Sequence, residues 1–458
     1  MTPDLLPDLV IVGAGPAGMA AAIEARARGL SVLLLDENAS AGGRVWQAQE
    51  RRAAKDADDA FALRTIAAFR ASGTEIRFGA TVWAIESEAT VYWSEAGQAR
   101  TATAGRVLLA TGTTERPLPV PGWTLPGVMT VGGAQIALKT AGLVPTGATW
   151  IAGQGPLLLL YAAQALRAGG RIAGILDLSD PAARRTALLH LPKALRTPSM
   201  LVKGLGWRRE IARAGVPWLR ADSLRAIGEG ALQEITFRTG GRERREPADL
   251  LLLHDGVVPS VQITRALGCA HAWDAAQRCW RPVTDEWGVT SLPGVLVAGD
   301  GAGVGGWQSA GISGRLAALG AAALGKIDSA TRDAAAAPLR AERARALAVR
   351  PLLDVLYAPR PPALEDATLV CRCEEVTAAR IREAVRLGCI GLNQLKAFTR
   401  CGMGPCQGRM CGATAAEVMA QALGLPVERV EPYRLRFPTK PLTLGELAAL
   451  DDGGGSAE

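Results

Sequence analysis

Four cysteines near the C-terminus have the residue type and spacing that could hold a metal centre. One residue separates Cys371 from Cys373, and after 32 further residues Cys406 is followed by a four-residue spacer and Cys411. Two short turns that each carry two soft thiolates can converge on one iron-sulfur unit. Structural zinc is the alternative, but its cysteine pairs are usually separated by about two to four residues. The one-residue spacing therefore favours an iron-sulfur cluster.

The sequence around these cysteines resembles a known family. Residues 370–376 (VCRCEEV) and 395–411 (LKAFTRCGMGPCQGRMC) resemble the bacterioferritin-associated-ferredoxin-like [2Fe-2S] domain. The resemblance is to the version fused to flavoprotein subunits of opine oxidases, of hydrogen cyanide synthase and of related proline, hydroxyproline and imino-acid dehydrogenases. It implies four cluster ligands, namely Cys371, Cys373, Cys406 and Cys411. Cys401 lies five residues before Cys406 and is a competing ligand.

A glycine-rich turn near the N-terminus predicts a dinucleotide-binding site. The apolar run 9–12 opens into Gly13-x-Gly15-x-x-Gly18, followed by an alanine-rich helix. In such a turn the first glycine permits the bend, the second lets the backbone approach a pyrophosphate, and the third lets helix and strand pack closely. The helix N-terminus then faces the anion. A second strand ends at Asp36, 23 residues after Gly13, where a carboxylate binds ribose hydroxyls.

Later motifs resemble the two-dinucleotide-domain flavoproteins of the glutathione and thioredoxin reductase superfamily. These motifs lie at residues 42–44, 108–122 and 294–301, and the resemblance extends over about residues 8–325. It implies that the dinucleotide is FAD and that Asp300 binds its ribityl chain. The helix after Gly306 would direct its positive end at the flavin ring. The residues predicted to bind FAD are Gly13, Gly15, Pro16, Ala17, Gly18, Asp36, Glu37, Gly43, Arg44, Ala110, Thr111, Gly112, Gly299 and Asp300.

The middle of the chain repeats the strand-turn-helix unit in a degenerate form. Residues 148–152 predict the strand, and the turn reads Gly153-x-Gly155-x-x-Leu158. Leu158 replaces the third glycine, and Asp177 falls one place later than the acid of the first unit. A leucine at this position should push the helix from the strand and spoil the phosphate cradle. We therefore expect a domain that keeps the fold without a productive nicotinamide site, the alternative being a working NADH site with an atypical third residue.

Disulfide-reductase chemistry is disfavoured, because no cysteine precedes Cys269 to supply a dithiol beside the flavin. The chain has three histidines, His190, His254 and His271. Only His254 stands at a strand end near the expected interdomain cleft. We interpret it as a hydrogen-bonded structural residue, with a functional role as the alternative.

Length and composition fit a globular protein of about three domains. The 458 residues are 48% hydrophobic and 21% charged, with a net charge of +7. The arginines are scattered and no basic run is interleaved with aromatic residues, so we do not expect nucleic-acid binding. We see no export signal and no apolar run long enough for a transmembrane segment. We expect a cytoplasmic protein, either free or peripheral on the inner membrane through its complex.

These features predict an α/β fold, a glutathione/thioredoxin-reductase-like flavoprotein with two dinucleotide-binding domains and a small helical C-terminal [2Fe-2S] domain. The predicted divisions are an FAD-binding domain at 1–125 and 285–330, a degenerate nucleotide-binding domain at 126–284, a linker at 331–365, the [2Fe-2S] domain at 366–420 and an extended tail at 421–458.

The resemblance implies an electron-transfer subunit, with FAD and a [2Fe-2S] cluster, of a multisubunit dehydrogenase or oxidase. Such an enzyme oxidises the C-N bond of an amino acid, imino acid or opine, and a separate amino-acid-oxidase-like flavoprotein subunit holds the substrate. A further small subunit is compatible with this reading, and the electron acceptor is left open. The alternatives are a self-contained NAD(P)H-dependent ferredoxin or quinone reductase, and a regulatory flavoprotein whose cluster senses iron or oxidants.

Overall fold

The computed structural model describes residues 6–86, 89–323 and 325–450. It confirms the predicted α/β class, because two five-stranded parallel sheets with flanking helices make up the larger part of the chain and a helical unit follows them.

The first sheet gathers strands from both ends of the flavoprotein region. Its parallel strands are, in spatial order, Val295–Val297, Val107–Leu109, Leu9–Val12, Val32–Asp36 and Glu75–Phe78. Successive strands are added first on one side of Leu9–Val12 and later on its other side. Such a switch in strand order opens a crevice at the carboxyl ends of the strands. Helices Pro16–Ala27, Ala57–Arg70 and Trp307–Ala322 belong to this domain. The first and last of them approach closely, because a Cβ at Gly314 would lie 2.0 Å from the Ala17 carbonyl oxygen.

The second sheet repeats this plan. Its parallel strands are Trp218–Arg220, Gly174–Asp177, Thr149–Gln154, Leu250–Asp255 and Val128–Thr130. The principal helices of this domain are Val131–Ala141, Pro156–Arg167 and Pro198–Arg213. Each domain also carries an antiparallel meander, formed by Thr81–Ile85, Thr90–Glu95 and Gln98–Thr103 in the first and by Ser223–Ile227, Glu234–Thr239 and Arg242–Pro247 in the second.

Short elements connect the two domains. Thr113–Glu115 pairs antiparallel with Val257–Pro259, and a hairpin joins His271–Asp274 to Cys279–Pro282. Short helices or turns of helix occur at Gln49–Arg51, Ala183–Ala187, Leu188–His190, Leu191–Ala194, Gln262–Ala266 and Gly299–Ala302.

The segment predicted as a linker is mostly helical and packed. It contains the helices Ser329–Ala346 and Arg350–Leu356, joined by the turn Leu347–Val349. Leu339 packs in a core with Trp287, whereas Leu352 packs with Ala194. The segment therefore wraps over both nucleotide-binding domains, as fits the Ala/Arg-rich helical pattern of its sequence.

The C-terminal unit has its own core. A small hairpin pairs Leu369–Cys371 with Val376–Thr377, and the helices are Ala378–Arg386, Leu392–Thr399 and Gly412–Leu423. The last helix passes residue 420, and the core extends to Val427, Val430 and Tyr433. The boundary predicted at residue 420 thus falls inside a helix, because the apolar face of that helix and the following turn Val427–Arg429 belong to the same core.

The tail is irregular from residue 431 to 443 and ends in the short helix Leu444–Ala448. Its Thr439 is buried against the first domain, where the Thr439 N-H donates to the Trp83 carbonyl oxygen at 2.8 Å. The tail thus packs on its own chain. The end of the predicted extended tail, residues 451–458, lies outside the described residues.

Within the part of the chain that the structure describes, no helix combines the length and the apolar character needed to cross a membrane.

Candidate functional site

A cleft of about 380 Å³ opens at the carboxyl ends of the first sheet. Of the residues predicted to bind FAD, those that line the cleft are Gly13, Gly15, Pro16, Ala17, Asp36, Glu37, Gly43, Arg44, Ala110, Thr111, Gly112, Gly299 and Asp300. Gly18 lies behind the cleft surface. A Cβ there would come 1.8 Å from the Gly13 carbonyl oxygen, so Gly18 lets the helix pack against the turn.

The floor of the cleft is backbone without side chains. Gly13 has φ of +109°, which side chains rarely allow, and a Cβ on it would lie 2.6 Å from the Ala110 carbonyl oxygen. A Cβ on Gly43 would lie 2.9 Å from the Gly15 Cα. The glycine-rich turn and the 42–44 loop can therefore approach this closely because Gly15 and Gly43 have no side chains where they meet. The surface that results can admit the close approach of a pyrophosphate.

Asp36 is fixed at the end of its strand by three hydrogen bonds. Its Oδ2 accepts from the Ala14 N-H at 2.5 Å, and its Oδ1 accepts from the backbone N-H and the side-chain amide of Asn38, both at 2.7 Å. These bonds orient the carboxylate beside the glycine-rich turn. Asn38 also lines the cleft, and sequence reasoning missed it because the dinucleotide fingerprint fixes only the acid.

Asp300 marks the other end of the cleft. Its Oδ1 accepts from the N-H groups of Gly305 and Gly306, at 2.9 and 3.0 Å, just before helix Trp307–Ala322. Burial raises the pKa of this carboxyl group above its ordinary value, while the two N-H groups oppose that shift. Trp307 lines the cleft, so the positive end of its helix faces the cavity.

Three further lining residues come from the C-terminal unit and tail. They are Arg409, Thr439 and Lys440. Lys440 Nζ lies 2.6 Å from Glu37 Oε2 although 403 positions separate them. No local pattern in the tail indicated that it returns to this cleft.

The cysteines meet in the C-terminal unit in two adjoining groups. The sulfurs of Cys371, Cys401 and Cys411 all lie within 4.8 Å of one another and are buried. Cys373 and Cys406 form the second group, with their sulfurs 3.8 Å apart, and the charge of Cys371 acts on Cys373. The four predicted ligands are thus brought to one place, and Cys401, which the sequence left as a competitor, lies among them.

The three buried sulfurs shift one another's pKa values. Hydrogen bonds from Cys401 and Cys411 hold the pKa of Cys371 far below its ordinary value. The same interaction with Cys371 raises the pKa of Cys401 to about 12 and raises that of Cys411 as well. Three soft sulfur donors in mutual contact, with two more beside them, are a donor set suited to iron-sulfur clusters or zinc.

The second domain has a smaller cleft at the equivalent position, of about 220 Å³. Gly155, the residue before helix Pro156–Arg167, has φ of +108°, whereas its counterpart Gly15 has φ of −77°. Leu158 is buried beneath this turn. The glycine-rich turns of the two domains therefore differ in backbone course as well as in sequence.

The acid of the second domain already has protein partners. Asp177 Oδ2 accepts from the Trp218 indole at 3.2 Å and lies 3.4 Å from Arg184 Nη2. Leu356 and Tyr357, from the segment predicted as a linker, line the same cleft. Burial raises the pKa of Tyr357. Asp177 thus has an indole and a cationic partner, and the segment predicted as a linker contributes to the lining of this cleft.

Two of the three histidines, the buried His254 and the half-buried His271, have hydrogen-bonding or charged partners. His254 is buried and its Nδ1 contacts Glu115 Oε1, whose other oxygen accepts from the Gly132 N-H at 2.8 Å. Both ring nitrogens of His271 are hydrogen-bonded, and burial lowers its pKa to about 4. Among the residues that the structure describes, no histidine or cysteine side chain lines the first cleft.

Comparisons with known proteins agree with this geometry. Residues 7–314 match the family model "Pyridine nucleotide-disulphide oxidoreductase", and residues 365–451 match "Sarcosine oxidase A3 domain". The first match supports FAD as the ligand of the cleft.

Relatives match this chain over nearly its whole length. The A subunit of the opine oxidase of Agrobacterium tumefaciens (strain Ach5) is 43% identical over 97% of this chain and 92% of its own length. The hydrogen cyanide synthase subunit HcnB of Pseudomonas aeruginosa is 34% identical over 94% of this chain and 96% of its own length. The crystal structure of L-proline dehydrogenase from P. horikoshii shares the fold, with a TM-score of 0.71 at 19% identity over 97% of this chain and 79% of that one. These findings confirm the resemblance and the fold class that the motifs indicated.

Proposed function

The chain belongs to the family of opine oxidase A subunits within the pyridine nucleotide-disulphide oxidoreductases, and we propose that it is an electron-transfer subunit with FAD and a [2Fe-2S] cluster. It serves a multisubunit enzyme that oxidises the C-N bond of an amino acid, imino acid or opine. When bound, FAD would accept electrons in pairs and release them one at a time, as a [2Fe-2S] cluster, which exchanges single electrons, requires.

The residues of the first cleft fit FAD. The backbone floor of Gly13 and Gly15 receives the pyrophosphate, and the hydrogen-bonded carboxylate of Asp36 is positioned for ribose hydroxyls. Asp300 lines the cleft and, by the resemblance of its Gly-Asp motif, would bind the ribityl chain, and helix Trp307–Ala322 directs its positive end into the cavity. The protein thus binds and orients the cofactor through backbone amides and two carboxylates.

The C-terminal sulfurs fit a cluster. Cys371, Cys373, Cys406 and Cys411 would hold it, with Cys401 as the competing ligand. Cys373 is exposed, so an external redox partner can approach this edge of the sulfur site.

The observation that best supports an electron-transfer role is the set of residues that line the first cleft. In the described part of the chain its lining has neither a dithiol nor a histidine, whereas C-N oxidation needs a pocket that orients the substrate carbon against a flavin and handles its proton. We therefore assign the substrate site to an amino-acid-oxidase-like flavoprotein partner. The self-contained NAD(P)H reductase is disfavoured, because the second cleft is smaller, its turn takes a different course at Gly155, and Leu356 and Tyr357 contribute to its lining.

Turnover by the purified chain tests this proposal. Two samples are assayed with an artificial dye as electron acceptor: the chain alone, and the chain co-expressed with its flavoprotein partner subunit. The substrates are opines, proline, hydroxyproline and glycine. We expect turnover only with the partner present. Robust oxidation of any of these substrates by the chain alone would refute the proposed electron-transfer role.

A further inference from the structure

The tail closes one end of the first cleft through a strap, here residues 437–440. Thr439 is 1% exposed, and both its N-H and its hydroxyl donate to the Trp83 carbonyl oxygen, at 2.8 and 3.2 Å. Val82, next to Trp83, lines the cleft together with Thr439. The strap is thus anchored on the meander that borders the cleft.

The strap is also fastened to the loop between two of the predicted cluster ligands. Gln407 Nε2 donates to the Pro438 carbonyl oxygen at 3.0 Å. The Arg409 guanidinium donates to the Cys406 carbonyl oxygen at 3.2 Å and to the Thr439 carbonyl oxygen. Arg409 therefore stands between the sulfur site and the cleft.

The strap brings positive charge to the end of the cleft marked by Asp36. Lys440 Nζ lies 2.6 Å from Glu37 Oε2, and Arg44 Nη2 lies 4.0 Å from Glu37 Oε1. Glu37 follows the acid that we assign to the ribose. Lys440 and Arg409 both line the cavity, so a dinucleotide there would meet two cations supplied from the far end of the chain.

We propose that Arg409, Thr439 and Lys440 complete the adenosine end of the dinucleotide site and retain the bound FAD. This inference rests on the proposed assignment of FAD to the cleft. The two cations complement the pyrophosphate charge, and the Lys440-Glu37 contact must open before the adenosine half can leave on this side. Glu37 then acts as the anchor of the strap.

The contact contributes little to global stability, which makes it testable. Both side chains of the Lys440-Glu37 pair are more than a third exposed, and exposed ion pairs contribute little to folding. A change in FAD retention after substitution of Lys440 would therefore report on the cofactor site and not on general unfolding.

The experiment measures the rate of FAD release from the full holo chain, followed as flavin fluorescence after dilution. We expect Lys440→Ala to accelerate release about twofold to fivefold, the size expected for an exposed ion pair. We expect Lys440→Arg to restore slow release, and Arg409→Met to accelerate it with an unchanged iron content. Arg429→Ala is the matched control, because Arg429 is an exposed cation of the same C-terminal region that does not line the cleft.

Two negative results have different meanings. Wild-type protein from which heating releases no FAD would refute the cofactor assignment itself. Wild-type protein that contains FAD, with Lys440→Ala releasing it at the wild-type rate, would refute the strap and leave the cofactor assignment standing. A thermal melt of each variant identifies any loss of FAD that merely accompanies unfolding.

Discussion

The hydroxyl of Tyr433 donates to the Cys401 sulfur at 3.3 Å and so fixes a cysteine that lies in the sulfur site although the family resemblance leaves it out of the ligand set. Cys401 shares a buried group with Cys371 and Cys411, whereas the resemblance pairs those two with Cys373 and Cys406. There are therefore two candidate ligand sets, and both contain Cys371 and Cys411. The first adds Cys373 and Cys406, whereas the second adds Cys401.

Serine substitutions distinguish these sets. We expect Cys373→Ser and Cys406→Ser to abolish or grossly perturb the cluster, because a hard oxygen ligand suits iron-sulfur chemistry poorly. Cys401→Ser should keep it, since serine at this position retains a hydrogen-bonding group for Tyr433. Iron and acid-labile sulfide per chain give the readout. Loss of the cluster in Cys401→Ser, with Cys406→Ser unaffected, would make the buried group the ligand core.

Local features of the site could be predicted from sequence, whereas remote ones could not. The turn from Gly13 to Gly18 and the acid Asp36 were identified directly, because a fixed short spacing encodes their geometry. No short sequence spacing predicts the position of Lys440, because its contact with Glu37 depends on the fold of the 403 positions between them. Likewise the packing of Tyr433 on Cys401 arises from the core of the whole C-terminal unit, and spacing alone could not place Cys401 beside Cys371 and Cys411.

Asp36 provides the second prediction. Removal of its carboxylate in Asp36→Ala deletes ribose hydrogen bonds that contribute about 1.5 to 3 kcal/mol each when charge-assisted. FAD affinity, measured by fluorescence titration of apoprotein, should therefore fall at least about tenfold. Asp300→Ala should weaken binding similarly. Asp58→Ala is a control, because this half-buried acid pairs with Lys203 and does not line the cleft. Unchanged affinity in Asp36→Ala would contradict the assignment.

The second nucleotide-binding domain provides the third prediction. Asp177 is engaged by Trp218 and Arg184, and Tyr357 lines the cleft, so NADH and NADPH should not reduce the flavin on a catalytic timescale. Stopped-flow absorbance of the holo chain checks this. Flavin bleaching faster than about 1 s⁻¹, within the usual range of turnover, would instead favour the alternative function, a self-contained NAD(P)H reductase.

A buried lysine beneath the 42–44 loop provides a pH-dependent prediction. Lys139 Nζ donates to the Val45 carbonyl oxygen at 2.9 Å and to that of Arg44 at 3.3 Å. Burial, and then the charge of Arg52, lower its pKa from 10.5 to about 8, against the opposing effect of Asp59. Between pH 8 and 10.5 the unfolded chain therefore binds a proton that the folded chain does not, so this group makes stability rise with pH across that window.

The variant Lys139→Met removes this titration and keeps a side chain of similar length. The free energy of unfolding in urea, measured at pH 7.5 and 9.5 for both proteins, isolates the lysine because every other group titrates in each. We expect wild type to gain stability relative to Lys139→Met as pH rises. Parallel pH profiles would show that Lys139 keeps its ordinary pKa.

The final prediction couples the sulfur site to the dinucleotide cleft. Gln407 and Arg409 hold the strap at Pro438 and Thr439, and they lie in the loop between Cys406 and Cys411. A metal centre bound by those two cysteines would restrict the ends of this loop, so its loss should loosen the strap. We expect Cys406→Ser to release FAD several-fold faster than wild type, by the same fluorescence measurement.

Cys389→Ala is the control for this coupling, because Cys389 is fully buried in the same unit but lies outside the sulfur groups. It perturbs the core of the unit without removing a predicted ligand, and FAD release should stay close to the wild-type rate. A Cys406→Ser protein that has lost its iron and still releases FAD at the wild-type rate would show that the strap holds its position without the cluster.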